Sequence, residues 1–167
     1  MKKIIIALFL VIATCSIASA QNWSSIEYKF TNGPVSPKYQ KSYTIIISPD
    51  RMVSMNYTTN TDGPKSDSYS RKISKSQMNS FKKFLATTRF LEAGFNPNFT
   101  DNMKVGGPSK DIMITFSNNQ ATLNLNERLG DKTNLADFNS LAMKLEKFIP
   151  SKVWKKLGGS STSTDNK

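Results

Sequence analysis

The sequence predicts an α+β fold: an antiparallel β-sheet with two amphipathic helices packed on one face, in the order β-β-β-β-α-β-β-α. Three observations carry that prediction. Short runs alternate apolar with polar residues between turn signals rich in Pro, Gly, Asn and Asp. Two longer runs repeat apolar residues at three- and four-residue spacing, each behind a helix-capping signal. Each of these helical runs follows a hairpin, so one sheet with both helices on one face gives every apolar surface a partner. A small barrel with helices packed outside it or across its opening is the alternative.

Trp23 to Phe30 reads as the first strand, with Ile26, Tyr28 and Phe30 alternating with Glu27 and Lys29. Thr31-Asn32-Gly33-Pro34 breaks it. Tyr39 to Ser48 is the strongest strand, and Ile45-Ile46-Ile47 implies burial on both faces over part of its length. Ser48-Pro49-Asp50-Arg51 is a tight turn into a partner strand from Met52 to Thr58. Ser68 to Ile73 adds a fourth strand after a polar loop.

Ser74-Lys75-Ser76-Gln77 is a capping box, and Met78, Phe81, Phe84 and Leu85 form the apolar stripe of a helix expected to run to about Arg89. Gly94 supplies a left-handed conformation beyond it. Residues 96–110 read as a loop. Asp111 to Phe116 and Ala121 to Leu125 read as a second hairpin, turned through Ser117–Gln120. Asn134 is the expected cap of the second helix, with Asp137 in its first turn. Phe138, Leu141, Leu145 and Phe148 give that helix its stripe over residues 135–149, and Pro150 ends it. Val153, Trp154 and Leu157 form a last short turn docked on the body. The domain is read as residues 21–157, followed by a disordered Gly/Ser/Thr tail at 158–167.

Residues 1–20 read as a secretory signal peptide. Lys2 and Lys3 precede the apolar run Ile4–Ala13, and Ala18-Ser19-Ala20 has the small-x-small form of a cleavage site. Ile12-Ala13-Thr14-Cys15 has the outline of a lipid-attachment box, but Thr fits poorly before the Cys, so an anchor through Cys15 is the weaker reading. The full chain has 167 residues, 23 Lys plus Arg, 12 Asp plus Glu, one Cys and no His. Cleavage after Ala20 removes two of the lysines and the only Cys. The remaining domain is basic, without thiol or imidazole, and the expected location is periplasmic or secreted, in a bacterium.

That composition excludes His-based catalysis, His-ligated metal and an internal disulfide. Asp62, Asp67, Asp101 and Asp111 sit near turns and offer at most an oxygen site. Ser80 to Lys83 matches Ser-x-x-Lys without the companion elements of that chemistry. Val105 to Lys110 resembles half a phosphate loop but leads into a strand and not a helix. No cofactor and no enzymatic activity are expected.

The basic residues are spread over helix surfaces and accompany no nucleic-acid motif. They point to a protein partner with an anionic surface, ahead of a membrane surface or polysaccharide, and nucleic acid is disfavoured. The expected contact surface is Phe99, Met103, Lys104 and Lys110 in the central loop, with Lys152, Trp154 and Lys155 near the C-terminus. The functional expectation is an exported, non-enzymatic protein-binding module. The alternatives are a periplasmic inhibitor or immunity-type protein that blocks an anionic enzyme or toxin cleft, and an envelope structural or assembly protein. Expression with export in a bacterial host, followed by N-terminal sequencing, is expected to return a chain that begins at Gln21. A chain that retains Met1, or begins at lipidated Cys15, would overturn the leader assignment.

Overall fold

The structure, a computed structural model, describes residues 22–36, 39–60, 63, 65–100, 107–118 and 121–156. The expected leader at 1–20, Leu157 of the expected last turn and the expected tail at 158–167 lie outside the described residues. Six strands form one antiparallel sheet: β1 (Trp23–Thr31), β2 (Lys41–Ile47), β3 (Met52–Thr59), β4 (Lys65–Lys72), β5 (Ser109–Phe116) and β6 (Thr122–Asn126). Their order across the sheet is β4-β3-β2-β1-β5-β6. The first four strands form a meander, and β5 returns to pair with the free side of β1. Helices α1 (Lys75–Leu85), α2 (Lys132–Lys147) and the short α3 (Ser151–Lys156) pack on one face. The predicted class and element order therefore hold, and the short turn expected after Pro150 is a helix of its own.

The pleat sorts residues between the two faces. Ile26 and Tyr28 of β1, Ile45 and Ile47 of β2, Val53 and Met55 of β3, and Ile112 and Ile114 of β5 are all sealed beneath the helices. Helix α1 adds Met78, Phe81 and Leu85, and Phe81 meets Trp23 and Phe148 edge-on at 6.2 and 5.5 Å. Among the described residues the opposite face carries no helix. Ile46 lies there, half-buried between Glu27 and Ser54 of the adjoining strands. The expected two-sided burial of the isoleucine run is incomplete among the described residues: Ile45 and Ile47 are sealed, whereas Ile46 keeps only half-buried cover beside its cross-strand neighbours.

Helix α1 begins with the expected capping box. The Gln77 amide donates to Ser74 Oγ at 3.1 Å, and the Ser74 amide donates to Gln77 Oε1 at 3.0 Å. It ends at Leu85, earlier than expected. The Thr87 and Thr88 hydroxyls donate to the Phe84 and Leu85 carbonyls at 2.7 and 2.8 Å, which satisfies acceptors that a further helical turn would have used. A separate 3₁₀ turn, Arg89–Leu91, then buries Phe90 and Leu91. At the β2–β3 turn, Asp50 accepts from Ser48 Oγ at 2.6 Å and from the Met52 amide at 3.2 Å, while Arg51 takes a positive φ of 78°.

The start of α2 corrects the sequence reading. Asp131 is the cap, accepting from the Asn134 amide at 2.8 Å. Asn134 itself is buried inside the first turn. Asp137 consequently falls in the second turn, where burial pushes its carboxyl above the ordinary value. Ala121, read from the sequence as the first residue of the returning strand, is exposed and precedes β6. Asp131→Ala is expected to destabilise the fold by about 1 kcal/mol in urea unfolding, the usual cost of a lost N-cap. A neutral Asp131→Ala would show that the cap is misassigned.

Candidate functional site

One row of side chains on the helix side of the sheet organises the candidate site. Lys110 of β5 lies opposite Phe30 of β1, Phe30 opposite Tyr43 of β2, and Tyr43 opposite Tyr57 of β3. Phe30 stacks on Tyr43 with centroids 4.8 Å apart. Helix α3 lays Trp154 edge-on to Tyr43 at 5.0 Å and buries Val153 beside it. Two stretches of the sequence-predicted surface, Lys110 and residues 152–155, therefore approach one end of the sheet through a shared aromatic row.

The predicted contact residues divide in this arrangement. Lys110 is half-buried, and Lys152 and Lys155 are exposed. Phe99 is 42% exposed, and its backbone forms an antiparallel bridge with Leu129. Trp154 is only 4% exposed, so its ring is part of the core and not of the outer surface. The alternation that placed it between lysines is real, but α3 turns its apolar side inward and leaves the lysines outside. Met103 and Lys104 lie outside the described residues, as do Asp62 and Asp101. Asp111 is exposed and accepts from Ser109 Oγ at 3.1 Å.

Beside Lys110 opens a cleft of about 700 Å³, lined by Gly33, Pro34, Thr100, Lys110, Arg128 and Leu135 among others. Its walls are built by backbone contacts. Asn32 holds the β1–β2 connection, its side chain donating to the Tyr39 carbonyl at 2.8 Å and accepting from the Lys41 amide at 2.9 Å. Gly33, at φ 85°, approaches the Gly107 carbonyl so closely that a Cβ would collide with it. Across the cleft, Thr100 donates its amide to the Arg128 carbonyl at 2.7 Å, and Gly130 donates to the Asn98 carbonyl at 2.8 Å. Arg128 was not singled out from the sequence; its place follows from the turn after β6, where the Asn126 side chain accepts the Arg128 amide.

Glu146 is the functional-looking residue that sequence reasoning passed over. It is 2% exposed, and its Oε1 accepts from Tyr43 at 2.6 Å and from Tyr28 at 3.1 Å. Both hydroxyls belong to neighbouring strands, so one carboxylate ties α2 to β1 and β2. The Tyr28 phenol is driven far above its ordinary value, first by burial and then by the adjacent Tyr43 and Glu146. A signal existed: Glu146 follows Ala142 by four residues and precedes Ile149 by three, which places an acid inside the apolar stripe.

Charge divides between the two layers. Each of the three helices carries three lysines, against two acids, Asp137 and the enclosed Glu146. On the open sheet face, Lys29 and Lys72 balance Glu27 and Asp111. Apart from these and Ile46, Met52 and Met113, that face is Ser, Thr and Asn throughout. Among the described residues no helix is long and apolar enough to cross a membrane, and no group of three or more His, Cys, Asp or Glu is placed to hold a metal ion. No family model matches the chain, and no curated protein matches it.

The Tyr28 shift sets a pH dependence. Folding raises its pKa, so the unfolded chain loses this proton first. The stabilisation is complete below the ordinary phenol value of 10.0 and is lost as pH rises above it. Tyr28→Phe is expected to cost about 1.5–3 kcal/mol at pH 7, the range for a hydrogen bond to a charged group, and to flatten the alkaline fall in stability. Urea unfolding at neutral pH and above pH 10.0 checks both parts.

Proposed function

We propose that the chain is an exported, non-enzymatic binding module for a protein partner with an anionic surface. The observation that supports this most is the sheet end at which Lys110 lies beside the Phe30–Tyr43 stack and the short helix α3, which carries exposed Lys152 and Lys155, seats Trp154 against the same stack. The packed aromatics hold the backbone that carries these lysines, so little backbone freedom is left to lose on binding. The positive potential steers an acidic partner toward this end. Periplasmic or secreted placement rests on the leader-like residues 1–20.

Phe99 favours a more specific version of the same reading. Its exposed ring belongs to a segment that bridges Leu129, and both Leu129 and Thr100, the residue after Phe99, line the cleft that carries Lys110 and Arg128. An exposed apolar residue on the same loop system as cations suits insertion into an acid-lined enzyme or toxin cleft, the action of an inhibitor or immunity-type protein.

Partners captured from native periplasm or culture fluid, identified and purified, provide the test. Lys110→Glu/Lys152→Glu/Lys155→Glu is expected to weaken binding by about tenfold or more at low salt, while Lys75→Glu/Lys82→Glu/Lys83→Glu on α1 changes it by less than about threefold. Equal weakening by both triples would mean that net charge alone drives binding. Unchanged binding in the first triple would place the surface elsewhere.

A further inference from the structure

The two edges of the sheet are not equivalent. β4 defends its edge: Lys65, Asp67 and Arg71 occupy inward-facing positions, and the Ser68 amide donates to the Asp67 carboxylate at 2.8 Å. Charges turned toward the core side, and a side chain capping an edge amide, both discourage a further strand. β6 has neither device. It reads Thr-Leu-Asn-Leu-Asn, without charge or proline.

The ladder shows which β6 groups face outward. The Phe116 amide donates to the Ala121 carbonyl at 2.9 Å. Hydrogen-bonded and non-bonded pairs alternate along an antiparallel ladder. With the register Ile114↔Leu123 and Ile112↔Leu125, these leucines turn their backbone groups to β5. Thr122, Asn124 and Asn126 therefore present theirs at the free edge. The Asn126 carbonyl takes the Leu129 amide of the following turn at 3.3 Å, but among the described residues nothing pairs with the edge amide or carbonyl of Asn124.

We propose that this edge pairs with β6 of a second copy of the chain, antiparallel about Asn124, joining the two six-stranded sheets into one. The strand is self-complementary in that register. Asn124 faces Asn124, Thr122 faces Asn126, and Leu123 faces Leu125 on the core side, so amide meets amide, apolar meets apolar, and no like charges oppose. The contact is isologous and closes at the dimer. Five residues make a short ribbon, and each chain carries a formal charge of +11, so the association is weak and strengthens as salt screens the repulsion. Binding to an anionic partner has the opposite salt dependence, which separates the two processes.

Sedimentation equilibrium of the purified protein from about 10 μM to 1 mM, at low and high salt, reads the association by mass action. The expected result is a monomer–dimer equilibrium that tightens with salt. Amide exchange at Thr122, Asn124 and Asn126 should slow as concentration rises. Asn124→Pro removes the amide donated across the two-fold axis without touching the β5 ladder, and Asn124→Lys sets two cations against each other there. Each is expected to weaken dimerisation by about tenfold or more, while Ser68→Lys on the β4 edge leaves it unchanged. Circular dichroism confirms that each variant is folded, and Asn124→Lys carries the test alone if Asn124→Pro is not. A monomer at every concentration and salt, a dimer indifferent to both Asn124 variants, or a dimer without protection of the β6 amides would each overturn the proposal.

Discussion

The pairing of β1 with β5 holds the whole sheet together. Without it the chain is a four-stranded meander and a separate hairpin, each with one apolar face and too little to cover it. With Ile26 opposite Ile114 and Tyr28 opposite Ile112, the two parts become one surface broad enough for α1 and α2 to cover together. The pairing spans a long stretch of sequence, so its closure is entropically costly and its side chains must be strongly apolar to offset that cost. The central position of β1 also explains why its inward residues are among the most completely enclosed in the chain.

Glu146 complements that pairing from the helix side. An apolar interior of this size accepts many helix orientations at similar energy, whereas a carboxylate receiving two fixed hydroxyls accepts one. Tyr28 and Tyr43 come from adjacent strands and meet edge-on at 5.9 Å, so their hydroxyls converge without distortion. The direction of α2 then determines where the chain reaches Pro150 and, through α3, where Trp154 closes the end of the core. A single buried acid thereby links the central strand to the surface on which the binding reading rests.

Much of the fold was legible because its elements follow the two side-chain periods. The alternation in Ile26, Tyr28 and Phe30 and the spacing of Met78, Phe81 and Leu85 state which face is buried without reference to the rest of the chain. What was not legible depended on tertiary contacts. The premature end of α1 turns on where two threonine hydroxyls point, and Asp131 replaces Asn134 as cap because Asn134 is drawn into the interior. Ile46 looks like core from composition, but whether a second layer exists is a property of the whole sheet. The candidate site was readable only in pieces. Lys110 and residues 152–155 stood out separately, and the Phe30–Tyr43 stack that connects them emerges only from strand register.

The unequal charge of the two layers has a mechanical consequence. With lysines concentrated on the helices and a charge-balanced hydroxyl and amide face behind them, the described residues set an excess of positive charge on the helix side of the sheet. Near an anionic boundary that asymmetry produces a torque as well as an attraction. Such a torque turns the helices toward the boundary and the charge-balanced face away, which shortens the rotational search before any specific contact forms.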